Sequence, residues 1–281
     1  MALTAIITGA TGGIGRSIAL RLVSQGYSVG INDIPEASQK IDAFVDEMNS
    51  AAHIPASLAA GSQTKRPRAL AIPGDVSSAT DVASMVSKTV SNLGPLTLMI
   101  ANAGIAPVIP MLQTKKADIE SVFAVNVGGV FNCYAEAARQ MIAQGHPRTV
   151  AGIEKYKLLG AASIAAFRAF PASGIYSASK FAVRGLTQSM ASEMASHNIT
   201  VNAYAPGIVG TSMWEKVDEA LGKIEGRAKG ESLALYSKSI TLGRTSVPDD
   251  VAGLVGGFLA TKDSDYVTGQ TILVDGGIVF T

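Results

Sequence analysis

Tyr176 and Lys180 stand four residues apart in Tyr176-Ser-Ala-Ser-Lys180, at the start of a helical period. A helix puts both on one face. An ammonium held beside a phenol favours the phenolate, so Lys180 is expected to lower the Tyr176 pKa from about 10. That would bring the hydroxyl toward the range where it exchanges protons near neutral pH. Such a pair taken alone is more often structural than catalytic. Ser163 ends an apolar run thirteen residues before Tyr176. A hydroxyl at the carboxyl end of a strand can donate to a substrate carbonyl oxygen beside the phenol; by itself it is a polar strand end.

A second cluster lies near the N-terminus. Thr8-Gly9-Ala10-Thr11-Gly12-Gly13-Ile14-Gly15 joins an apolar run to a helical period. Glycines permit a tight turn and close approach to a pyrophosphate, and the following helix start offers free N–H groups and a positive dipole. The Gly9, Gly13, Gly15 spacing is wider than G-x-G-x-x-G, so the strand–turn–helix context carries the reading. Asp33, at the end of the next apolar run, could accept hydrogen bonds from adenosine ribose hydroxyls and would repel a 2′-phosphate. NAD is therefore expected over NADP. Arg16 is a counter-signal that a solvated helix face or a pyrophosphate contact would explain, and Asn32-Asp33 could be simple turn chemistry.

These residues need a scaffold that brings strand ends together. Short apolar runs alternate with longer helical periods, which argues for a parallel sheet covered on both faces. Strands are expected at Leu3–Thr8, Tyr27–Asp33, 68–73, Leu96–Ala101, Lys157–Ala162, Ile199–Ala205 and Thr271–Val274, with helices at Ile14–Gln25 and about Glu36–Asn49. The fold class is α/β: a Rossmann-type, doubly wound, seven-stranded parallel sheet in a single domain spanning 1–281. Three segments interrupt the rhythm: a surface insertion at 51–67, a lengthened approach at 145–156, and a charged, amphipathic stretch at about 211–239 that reads as a substrate lid.

Composition excludes other classes. Of 281 residues, 47% are hydrophobic and 16% charged, which argues against global disorder. A net charge of +1 gives no electrostatic case for nucleic acid or an anionic membrane surface. The single cysteine, Cys133, precludes an intrachain disulfide and reads as buried packing. His53, His146 and His197 form no ligand spacing, so no metal is expected. The chain enters a strand without a basic leader and has no run of roughly 20 apolar residues, so the cytoplasm is the expected compartment.

Taken together, Thr8-Gly-x-x-x-Gly-x-Gly15, Asp75-Val76, Asn102-Ala103-Gly104, Asn126, Ser163, Tyr176-x-x-x-Lys180 and Pro206-Gly207 resemble the short-chain dehydrogenase/reductase family over almost the whole chain. The resemblance implies an NAD(H)-dependent oxidoreductase in which Tyr176 is acid and base. Lys180 would bond the nicotinamide ribose and poise Tyr176, Ser163 would orient the carbonyl, and Asn126 would hold a water through its backbone carbonyl. Gly9, Thr11, Gly13, Ile14 and Gly15 would form the phosphate turn. Asp75 and Val76 would hold the adenine, and Asn102, Ala103 and Gly104 the adenosine and ribose side. Pro206, Gly207 and Ile208 would flank the nicotinamide, with Thr211 at its carboxamide. Asn126 is suggestive on its own, because Asn is a poor former inside an apolar helical pattern. The second half of the chain resembles the diacetyl/acetoin reductases, or 2,3-butanediol dehydrogenases, within that family; this implies a small diketone or hydroxyketone substrate. Ala165, Phe170, Met213 and Trp214 would line its pocket, although core packing is their usual role. A larger ketone, cyclic alcohol or sugar alcohol is the alternative substrate, and a non-catalytic NAD-binding protein the alternative class. The resemblance also implies a homotetramer.

Overall fold

The computed structural model describes residues 3–50, 67–145 and 155–281. The expected insertion at 51–67, apart from Pro67, lies outside the described residues, as do residues 146–154 of the second segment and with them His53 and His146.

Seven strands, β1 (Leu3–Ile7), β2 (Tyr27–Ile31), β3 (Ala69–Ala71), β4 (Leu98–Ala101), β5 (Tyr156–Ala161), β6 (Ile199–Pro206) and β7 (Thr271–Val274), form one sheet. Their order is β3-β2-β1-β4-β5-β6-β7, and every pairing is parallel. This is the doubly wound sheet that the alternating pattern predicts. Several strands end one or two residues earlier than expected, with Thr8 and Asp33 lying in the turns beyond β1 and β2.

The described helices, in chain order, are α1 (Gly13–Ser24), α2 (Ser38–Asn49), α3 (Ala79–Leu93), α4 (Lys116–Phe123), α5 (Gly129–Ala143), α6 (Gly174–Met194), α7 (Ser212–Glu225), α8 (Glu231–Ser237) and α9 (Pro248–Leu254). Successive strand side chains alternate between two apolar layers. Ala5 and Ile7 pack with Ile18 and Leu22 of α1 and Val251 of α9, while Ile6 packs on the other face with Val86 of α3, Cys133 of α5 and Val183 of α6. Burial on both faces explains why the strands read as continuous apolar runs. Each fully buried Ile or Leu contributes about 1.5–3 kcal/mol.

Strand order reverses between β1 and β4, one chain connection leaving toward β2 and the other toward β5. Ligands in open parallel sheets bind outside the carboxyl ends of strands at such a switch point. The glycine-rich turn follows β1, Asn102 follows β4, and Ser163 follows β5, so the fold delivers the sequence-marked residues to that edge.

Candidate active site

The turn after β1 is built around backbone that only glycine accommodates easily. Gly9 and Gly13 have φ of +61° and +51°. A Cβ on Gly15 would sit 2.3 Å from the Gly9 carbonyl oxygen and 2.7 Å from Asn102 Nδ2. The Thr8 hydroxyl accepts from the backbone N–H groups of Asn102 and Ala103, both at 3.0 Å, and so ties the turn to the end of β4. Asp33 accepts from the Thr11 hydroxyl at 2.5 Å, from the Thr11 N–H at 3.3 Å and from the Ile34 N–H at 3.0 Å. Gly13 lies against Thr211, whose methyl would be 3.2 Å from an added Cβ. The Thr211 hydroxyl donates to the Val209 carbonyl at 3.3 Å.

Arg16 does not face the turn. It pairs with Glu47 at 2.5 Å and stacks on Phe44 at 4.8 Å, so the counter-signal in the sequence is a side-chain contact between α1 and α2. Asp75 accepts from the Ser77 N–H at 2.9 Å, and the Val76 side chain packs on Gly129 at the start of α5.

The second cluster lies at the ends of β4 and β5. Lys180 is buried on α6, and its Nζ donates to the Ala161 carbonyl at 2.7 Å. That nitrogen is 5.5 Å from the centroid of the Tyr176 ring. Burial lowers the Lys180 pKa to about 8. Ser163 follows β5 by two residues and starts a short 3-10 turn, accepting at Oγ from the Ala165 N–H at 3.1 Å. The Tyr176 phenol differs from expectation: it lies above its ordinary value because burial outweighs a hydrogen bond with Ser163. Lys180 does not reverse this: its Nζ stands 5.5 Å from the ring centroid and donates to the Ala161 carbonyl, and burial dominates.

Asn126 is buried in the middle of a π-turn, Ala124–Gly128, that joins α4 to α5. The sequence marks it as a misfit in a helix, but not the π-turn, a wider turn often found at functional sites. Its Oδ1 accepts from the Ile105 N–H at 2.9 Å, and its Nδ2 donates to the Ile105 carbonyl at 2.9 Å and to the Ser179 hydroxyl at 3.0 Å. Ser179, unmarked in the sequence, in turn donates to the Tyr176 carbonyl at 2.6 Å. Gly104 closes this group, since a Cβ there would lie 3.2 Å from Asn126 Oδ1 and 3.6 Å from Lys180 Nζ.

Pro206 ends β6, Gly207 packs against Asp275, and Ile208 is buried. The four expected pocket residues fall differently. Ala165 is buried behind Ser163, Phe170 is half-buried beneath the Arg168 guanidinium at 5.9 Å, Trp214 is half-buried, and Met213 is 39% exposed at the start of α7. Within the expected lid, Asp218 is buried on α7 and accepts from the Gly230 N–H at 2.5 Å and the Leu233 N–H at 2.7 Å. These bonds lower its pKa and fasten α8 to α7.

Residues 3–222 match the family model described as short chain dehydrogenase. The chain belongs to the short-chain dehydrogenase family. Short-chain dehydrogenases similar to it include an L-2,3-butanediol dehydrogenase from Corynebacterium glutamicum, 41% identical over 280 residues and the full length of both chains. A diacetyl reductase of the (S)-acetoin-forming type from Staphylococcus epidermidis is 38% identical over 281 residues, again the full length of both. Among solved structures, a short-chain type dehydrogenase/reductase from Mycobacterium marinum superposes with a TM-score of 0.81 at 30% identity, covering 99% of this chain and 96% of that one. As a short-chain dehydrogenase, this chain is an oxidoreductase acting on CH–OH and C=O groups.

Proposed function

We propose that the chain reduces a small diketone or hydroxyketone of the diacetyl/acetoin type to the alcohol, and catalyses the reverse, with NAD(H). The observation that carries the chemistry is the meeting of Ser163, Tyr176 and Lys180 beside the glycine-rich turn at the switch point of the sheet. The full-length likeness to a butanediol dehydrogenase and a diacetyl reductase supports the substrate class.

The residues fit a dinucleotide. The cap residue of α1, Gly12, offers no side-chain acceptor, and the first turn carries no carboxylate. Its N–H groups are therefore left to an external anion, with the helix dipole in support. Gly9, Thr11, Gly13, Ile14 and Gly15 would hold the pyrophosphate. Asp33 would take the ribose hydroxyls and disfavour a 2′-phosphate. Asp75, Val76, Asn102, Ala103 and Gly104 would form the adenosine side, and Pro206, Gly207, Ile208 and Thr211 the nicotinamide side. When bound, the nicotinamide supplies or accepts the hydride.

The protein's own part is orientation and the proton. In reduction, the Ser163 and Tyr176 hydroxyls donate to the substrate carbonyl oxygen, and Tyr176 gives up its proton as negative charge grows there. Burial keeps that phenol protonated at neutral pH, the state a donor needs. Placing both donors before charge develops is electrostatic preorganisation. The Lys180 ammonium, oriented by the Ala161 carbonyl, stabilises the phenolate left behind. Asn126 and Ser179 hold the backbone at Tyr176, and α7 with α8 would close over the substrate. A homotetramer is the assembly we propose, with Phe131 on α5 and Phe181 on α6, 54% and 45% exposed, as the apolar faces that pair.

Diacetyl, acetoin, sorbitol and cyclohexanone assayed with NADH and NADPH in parallel test this reading. Diacetyl or acetoin with NADH should give the highest kcat/KM. Preference for cyclohexanone or for NADPH would contradict it.

A further inference from the structure

Tyr204 is fully buried on β6, and its hydroxyl donates to Asn102 Oδ1 at 2.8 Å. The register explains how a side chain on β6 reaches the end of β4. Ala161 pairs with Tyr204, and Gly160 pairs with Ala101, so Asn102 falls one step on, in the row that crosses Ala161 and Tyr204. Side chains of one row share a face of the sheet. The methyl of Ala161 leaves room for the phenol to lie across β5 beneath α1. Burial pushes the Tyr204 phenol far above its ordinary value, so it remains a donor at any working pH.

An asparagine amide has one accepting end and one donating end. With Oδ1 committed to Tyr204, Nδ2 donates to the carbonyls of Thr8 and Gly9, at 3.0 and 3.1 Å. Those two carbonyls open the glycine-rich turn, and the same nitrogen is, after the Gly9 carbonyl oxygen, the atom nearest to a Cβ on Gly15. The amide is thus the floor of the turn, and Tyr204 completes its anchoring by donating to the oxygen end that the two carbonyls leave free.

We infer that Tyr204 is a positioning residue for the dinucleotide: by orienting the Asn102 amide beneath the glycine-rich turn, it sets cofactor affinity from β6 without belonging to the turn. The inference rests on the reading of that turn as the dinucleotide site.

Tyr204→Phe tests it, with Tyr134→Phe as the comparison. Tyr134 is equally buried on the opposite face of the sheet, and its hydroxyl bonds Thr187 and the Asn202 carbonyl. Each variant loses one buried phenol hydroxyl and a comparable part of its thermal stability. Titrating NADH by fluorescence, Tyr204→Phe should raise Kd about five- to tenfold by leaving the amide acceptor unpaired. Amide hydrogen exchange over residues 8–13 of the cofactor-free protein should become faster, while kcat at saturating NADH and the KM for diacetyl stay at wild-type values. Tyr134→Phe should leave both the NADH Kd and that exchange unchanged. Asn102→Asp, which keeps the acceptor for Tyr204 and removes both donors to the turn, should weaken NADH from the other end. An unchanged Kd in Tyr204→Phe or Asn102→Asp, or an equal loss in Tyr134→Phe, would overturn the inference while leaving the dinucleotide reading intact. Failure of the wild-type protein to bind either NADH or NADPH would overturn both.

Discussion

On the β1–α1 side of the cleft, Thr8, Asp33 and Asn102 each hold two or more groups of the turn or its neighbours. The opposite side is fastened differently. On the proposed substrate side, Phe167 lies under Arg184 at 4.3 Å and Phe170 under Arg168 at 5.9 Å, and Met213 stands exposed at the start of α7. Two residues after Phe170, Ala172 adopts φ of +56°, a left-handed conformation that costs a non-glycine residue about 1–2 kcal/mol, while its carbonyl accepts from the Ile109 N–H. A turn that meets one invariant ligand can be fixed in advance by hydrogen bonds. On the proposed substrate side the side chains are instead stacked or exposed, an arrangement that a small carbonyl compound could reorder.

Substitutions on the two sides should therefore fail in different ways. Among changes that set the two sides against each other, the largest effect is expected from Gly15→Ala. Its Cβ would meet a backbone carbonyl and the Asn102 amide, neither of which can yield without opening the turn. We expect NADH affinity to fall by more than about a hundredfold and stability by about 1–3 kcal/mol. Calorimetric titration and thermal denaturation would show it, and a retained Kd would remove the contrast. Next is the pH profile. Lys180, lowered to about 8 by burial, is an ammonium below that value and an amine above it. Reductive kcat should fall as pH rises through about 8, approaching tenfold per unit. The linkage has a definite sign: between about 8 and 10.5 the folded lysine binds fewer protons than the unfolded one, so this group adds stability as pH rises. A flat rate profile across that window would separate Lys180 from the proton chemistry. The smallest effect is expected on α7 and α8, the proposed lid. Asp218→Asn removes the charge that accepts from the N–H groups of Gly230 and Leu233. It should raise the KM for diacetyl about threefold while the NADH Kd stays unchanged, as a loosened closing element would. A shift in NADH affinity instead would place α7 and α8 on the cofactor side.

The same contrast governs how far the sequence could be read. The sheet and the glycine-rich turn were legible because alternating periods and glycine spacing are local signals. Tyr176, Lys180 and Ser163 were legible because their offsets along one helix and one strand are local too. Asn126 was marked by the family resemblance and as a misfit in a helix, but its π-turn was not: that turn depends on Ile105 and Ser179, which no local pattern brings near it. The direction of the Tyr176 shift was misread because burial, not the neighbouring ammonium, dominates, and burial is a property of the assembled fold. Tyr204 looks in sequence like any core aromatic, and its role emerges only from the register of three strands. The proposed substrate side was least legible, since exposed or half-buried apolar side chains such as Met213 and Phe170 carry no positional signal.

The claim on which the chemistry turns is that the Tyr176 hydroxyl moves the proton. Single-turnover reduction of diacetyl by Tyr176→Phe, with NADH binding measured on the same sample, tests it directly. The rate should fall by about a thousandfold or more while the NADH Kd remains within about twofold of wild type. Near-normal reduction by that variant would contradict the account.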